Sequence, residues 1–144
     1  EPTLDQAEVT RLCIPYGSLD PLERKEIERH VEHTYQFLRL IPWTEDLQGV
    51  PDIAHAHHEK LDGSGYPLGL AGTKIPYGAK LMAISDIFDA LTASDRPYKP
   101  ALGEGKAISI LRSEAERQHL EHEAVELFVG ARLWERAGIT LTLS

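Results

Sequence analysis

The sequence of 144 residues has one cysteine, Cys13, so no disulfide can form within the chain. The seven histidines therefore have no cysteine partners with which to build a zinc-finger site, and the composition suits a reducing, cytoplasmic setting. No apolar run approaches the roughly 20 residues that a membrane-spanning helix needs, and no basic-then-apolar signal segment opens the chain. Clustered basic charge is also missing. A net charge of −8 argues against a general DNA or RNA surface, which relies on grouped Lys and Arg. Repeats, low-complexity stretches and linkers are absent, and the length fits one domain with a single core.

Strand patterns are nearly absent as well. Only the tail Ile139–Ser144 alternates like a strand, and it has no obvious partner. Residues 1–17 are weakly periodic and read as a short helix or extended arm ending in Pro15-Tyr16-Gly17. A helix start follows: Asp20 can cap, Pro21 fits the first turn, and Glu23 completes a capping box. Ile27, Val31, Thr34, Leu38 and Ile41 then recur at helical spacing up to Pro42. A second helix is expected over about Val50–Glu59, with Ile53 and Ala54 facing inward. Residues 62–76 are too rich in Gly and Pro for a regular element. From Tyr77 to Ala93 a third helix is expected to bury Ala79, Met82, Ala83, Ile87, Ala90 and Leu91. Pro97 and Pro100 break the pattern, and two amphipathic stretches follow around Glu104–Glu116 and Leu120–Ala137. The fold class is all-α.

Polar residues fall where these helices should be apolar. His30 lies beside Val31, three residues after Ile27 and four before Thr34. Alone, a histidine there is more often a hydrogen-bonded core residue than a ligand. His57 and His58 are neighbours, which on a helix point ~100° apart. Either one is buried and the other solvated, or each grips one ion of a pair ~3.5–4 Å apart. Asp86 falls on the expected buried stripe of the third helix, where a carboxylate is costly unless paired or metal-bound. A buried salt bridge would also account for it. Three helices each offering an imidazole or carboxylate inward together suggest a His/Asp metal centre, whose N/O donors suit iron, manganese or zinc.

The run His57-His58-Glu59-Lys60-Leu61-Asp62-Gly63-Ser64-Gly65-Tyr66-Pro67 joins the histidine pair to the glycine-rich loop. Here the sequence resembles the HD-GYP group of the HD superfamily, whose name-giving second motif is HHE…DGxGYP. The flanks match too: Glu28-Arg29-His30-Val31 upstream, and Ile84-Ser85-Asp86-Ile87-Phe88-Asp89-Ala90-Leu91-Thr92 with Asp95-Arg96-Pro97-Tyr98-Lys99 downstream. The likeness covers residues 18–115 of one partial domain spanning 1–144, with C-terminal helices to 137.

The resemblance implies an HD-domain-like helical bundle, partial here, with the GYP loop between helices. It implies metal-dependent hydrolysis of cyclic di-GMP to the linear dinucleotide or on to GMP. His30, His57, His58 and Asp86 would be ligands to two or more divalent transition metals, iron or manganese first, zinc or nickel as alternatives. Tyr66 would contact the substrate, and Arg96 and Lys99 would bind its phosphate or guanine groups. Asp62, Gly63, Gly65 and Pro67 would shape the loop, with Gly63 and Gly65 allowing positive φ or close backbone approach to a ligand. Asp89 would orient neighbours; Trp43 and Trp134 read as packing residues; His33, His55, His119 and His122 are expected on solvated faces.

The sequence departs from the family at one point. Residues 1–29 contain no His, and no adjacent His-Asp pair occurs anywhere. The family's HD pair, whose Asp bridges the metals, and the lysine behind it are therefore not in this chain. The expectation is that residues before Glu1 carry them, and that this chain alone has little or no activity. A non-catalytic module that binds a nucleotide or docks to diguanylate cyclase-type domains is the alternative.

Overall fold

The computed structural model describes residues 21–93 and 101–136. The expectations for Asp20 as a cap, for the N-terminal arm, for Arg96 and Lys99, and for the alternating tail lie outside these residues. The described residues are helical with no strand: α1 (Pro21–Leu38), α2 (Val50–Ala56), α3 (Tyr77–Thr92), α4 (Glu104–Glu116), α5 (His122–Gly130) and α6 (Leu133–Arg136). Single 3-10 turns lie at Glu45–Leu47 and Gly72–Lys74. Among the described residues no helix is long and apolar enough to cross a membrane.

Helix α1 stops before Pro42, and the Trp43 indole N–H donates to the carbonyl of Leu38 at 2.8 Å, satisfying one orphan acceptor of the helix end. Helices then pack in chain order: α1 on α2, α2 on α3, α3 on α4, and α5 against both α3 and α4. His55 ties α2 to α1. It is buried, its Nε2 lies 2.9 Å from Glu32 Oε2, and its ring stacks on Tyr35 at 4.0 Å. The solvated face expected for His55 is thus incorrect, because the short α2 turns this side toward α1.

Two apolar clusters result. The larger joins Ile84 and Phe88 of α3, Leu111 of α4, Val125 and Phe128 of α5, and Trp134 of α6. Phe88 stacks on Trp134 and meets Phe128 edge-on. The smaller gathers Ala56, Ile75 and Ala79, with Ile53, Leu61 and Leu70 against them. Helix α3 serves both, its first turn in the small cluster and the rest in the large one.

The buried face of α3 differs from the expected stripe. Ala79, Ala83, Ile84, Phe88 and Thr92 are buried, whereas Met82 is 41% exposed and Asp86 is exposed. Apolar residues occur almost all round this helix, so spacing alone allows two registers. The packing of α4 and α5 selects the Ile84–Phe88 side. The last expected helix is divided in two by Arg132, whose φ of 46° cannot continue an α-helix.

Candidate metal centre

Helix α2 ends earlier than the sequence suggested, and this decides the site. His57 caps it rather than continuing it, and His58 lies in the turn beyond. Freed from helical spacing, the two rings do not diverge. Their centroids are 3.9 Å apart and both side chains are half-buried. Asp86 reaches toward them from α3. One donor atom from each of His57, His58 and Asp86 lies within 4.8 Å of the other two. Asp86 thus meets the histidines from the solvent-accessible side of α3, not from its core face.

His57 Nδ1 is 2.7 Å from the carbonyl of Ala54. A carbonyl only accepts, so Nδ1 carries the proton and the lone pair of the neutral ring is on Nε2. This is the outer hydrogen bond that fixes tautomer and orientation in metal-binding histidines. Burial first, and then His57, hold the His58 imidazole below its ordinary pKa, against the opposing pull of Asp86. Ligating histidines must be neutral, so the donor set fits a divalent transition metal. The Tyr66 ring stacks on His58 at 4.9 Å.

The histidine pair stands between two cavities. One, of about 340 Å³, is bordered by His57, His58, Asp86 and Tyr66, and also by Glu114 and His119. The other, of about 480 Å³, includes His30, Thr34 and Met82 with the same two histidines. His30 is exposed rather than set in the α1 core, and it faces the pair without joining the three-residue cluster.

The loop after His58 is ordered by a residue to which the sequence reading gave no role. Glu59 is 5% exposed, and its carboxylate accepts the N–H of Leu68 at 2.7 Å and of Leu70 at 2.9 Å. A loop this rich in glycine has many amides needing acceptors, and a carboxylate beside it was the available signal. Asp62 accepts the Ser64 N–H and hydroxyl at 2.9 and 2.7 Å, and the hydroxyl, then the amide, hold the Asp62 carboxyl below its usual range. Gly63 has φ +82°. Gly65 is needed for a different reason from the one expected. A Cβ there would lie 2.4 Å from the backbone nitrogen of Lys60, so the close approach is to the chain's own backbone, not to a ligand. The Tyr66–Pro67 peptide is cis. Asp89 is exposed on α3.

The loop is also docked to the junction of α4 and α5. Leu61 N–H donates to the His119 carbonyl at 3.3 Å and Asp62 N–H to the Gln118 carbonyl at 3.0 Å. His119 is half-buried, with Nδ1 2.7 Å from Glu114 Oε2 and Nε2 3.4 Å from Asp62 Oδ2. The solvated face expected for His119 is therefore incorrect; its neighbours come from 57 residues upstream and from α4. His33 and His122 are exposed.

Comparison with known proteins agrees with this architecture. The profile of the HD domain matches residues 7–123. The chain belongs to the HD domain family. A 3'3'-cGAMP-specific phosphodiesterase 3 of Vibrio cholerae is 41% identical over 96 residues, 66% of this chain and 20% of that protein. The cyclic di-GMP phosphodiesterase response regulator RpfG of Xanthomonas campestris is 48% identical over 101 residues, 70% of this chain and 26% of that protein. A cyclic di-GMP phosphodiesterase of Thermotoga maritima is 40% identical over 91 residues, 62% of this chain and 24% of that protein. The HD domain chain thus spans about a fifth to a quarter of these relatives.

Proposed function

We propose that this HD domain chain supplies one side of a metal-dependent phosphodiesterase site acting on a cyclic dinucleotide, cyclic di-GMP being the substrate the family resemblance implies. The observation that carries the reading is the convergence of His57, His58 and Asp86 within 4.8 Å, at a cavity they share with Tyr66. The names of the relatives, phosphodiesterases of cyclic di-GMP and 3'3'-cGAMP, support it.

In this reading His57, through Nε2, with His58 and Asp86 holds a divalent metal, iron or manganese with zinc or nickel as alternatives, and His30 adds a donor from the adjoining cavity. Such a metal supplies Lewis acidity toward a phosphoryl oxygen and an activated water. Tyr66, braced on His58, lines the cavity that receives the substrate. Arg96 would grip phosphate or a guanine edge through its planar fork, and Lys99 would add a point charge. Because the sequence has no adjacent His-Asp pair, hydrolysis by these 144 residues alone is proposed to be slow.

Calorimetric titration of the chain with Mn²⁺, then with cyclic di-GMP, tests this. His57→Ala, His58→Ala and Asp86→Asn should each weaken metal binding at least about tenfold. Wild-type metal affinity in all three would overturn the reading. Dinucleotide binding indifferent to His57→Ala and to metal would favour the non-catalytic module, including one that docks to diguanylate cyclase-type domains.

A further inference from the structure

The cavity bordered by His57, His58 and Asp86 is also lined by a polar pair that the metal centre leaves unused. Glu114, in the last turn of α4, and His119, in the turn after it, stand there. Ile110, one helical turn before Glu114, and Ile87 of α3 line the same cavity and give it an apolar floor. The Glu114 and His119 side chains are 23% and 21% exposed, so both are partly withdrawn from bulk water. His119 Nδ1 donates to Glu114 Oε2 at 2.7 Å, which fixes the carboxylate in place. The other carboxylate oxygen, Oε1, faces Arg117 Nη1 at 3.6 Å, beyond hydrogen-bond length.

An ionised carboxylate offers acceptors only. It therefore matches an edge with two adjacent N–H donors and opposes one that shows a ring-nitrogen lone pair. Guanine places N1–H beside its N2 amino group, with O6 as the neighbouring acceptor. Adenine places its N6 amino group beside the N1 lone pair. The cavity volume, about 340 Å³, lies within the roughly 300–1,000 Å³ of small-molecule sites with apolar walls and a few placed polar groups.

We propose that Glu114, braced by His119, reads the guanine edge of a cyclic dinucleotide whose base lies over Ile87 and Ile110. This pair would determine base specificity while the metal-holding residues engage the phosphate. The inference rests on the site taking a cyclic dinucleotide. A site built to hydrogen-bond an edge rejects an analogue that leaves its polar group unmatched.

The test is equilibrium binding of cyclic di-GMP and cyclic di-AMP to the full 144-residue chain with Mn²⁺, for wild type, Glu114→Gln and Ile110→Phe. Metal stoichiometry and thermal unfolding are measured alongside. Wild type is expected to prefer cyclic di-GMP. Glu114→Gln should weaken cyclic di-GMP by about tenfold without weakening cyclic di-AMP, at unchanged metal stoichiometry. Ile110→Phe, which fills the apolar slot and leaves the polar pair alone, should weaken both dinucleotides and keep the metal. A Glu114→Gln chain with wild-type preference overturns the inference and leaves the proposed function standing, as does an Ile110→Phe chain with wild-type affinity. A wild-type chain that takes up metal and binds neither dinucleotide overturns the proposed function and this inference with it.

Discussion

The carboxylate of Glu59 accepts the backbone N–H of Leu68 at 2.7 Å, across nine residues of a loop with little regular structure. Its second oxygen does the same for Leu70, so one buried side chain closes the turn that carries Tyr66. Glu59 directly follows His58, so the residue that shapes the loop and the residues that converge with Asp86 share one backbone segment.

Removing that carboxylate strands two amides. Glu59→Ala is expected to destabilise the chain by about 2–4 kcal/mol, since the amides lose a charged acceptor in a site that excludes water. Hydrogen exchange at Leu68 and Leu70 should accelerate with the loss. Exchange at both amides unchanged from wild type would show that Glu59 does not hold the loop.

The loop glycines differ in what they tolerate. Gly65→Ala puts a methyl 2.4 Å from the Lys60 nitrogen, and only backbone movement relieves it. Gly63→Ala meets Ala71 at 3.4 Å and suffers mainly from φ +82°, worth about 1–2 kcal/mol. Urea unfolding is expected to rank Gly65→Ala well below Gly63→Ala in stability. The reverse ranking would contradict the close approach.

Adjacent residues of α4 should behave oppositely. Leu111 is fully buried in the larger cluster, and Leu111→Ala is expected to cost about 3 kcal/mol. Arg112 grips both carboxylate oxygens of Glu126, at 2.8 and 2.9 Å, on the exposed face, and its removal should cost far less. Equal effects from the two substitutions would mean that the burial pattern of α4 is wrong.

Asp62 offers a pH readout. The Ser64 hydroxyl holds its carboxyl below the usual range, so Ser64→Ala should move the Asp62 titration upward by NMR. A carboxyl with a depressed folded pKa contributes stability above its unfolded pKa and loses it as pH falls through the folded one. The stability gap between wild type and Ser64→Ala should therefore close toward acid pH. An Asp62 titration unmoved by the substitution would remove Ser64 as the cause.

Much of this was legible locally. The all-α class, the starts of α3 and α4, the irregular loop and the histidine pair joined to it depend on spacing, proline, glycine and motif residues that are neighbours in sequence. What local pattern left open was decided by contacts between distant segments. The buried register of α3 was ambiguous because apolar residues surround the helix, and α4 and α5 chose Ile84 and Phe88 over Met82. The roles of His55 and His119 depended on Glu32, Tyr35, Glu114 and Asp62, which no periodicity links to them. Sequence by itself determined which donors the chain possesses. Only the tertiary structure decided that His57, His58 and Asp86 meet, because α2 ends at Ala56 and α3 turns Asp86 away from the core, toward the pair.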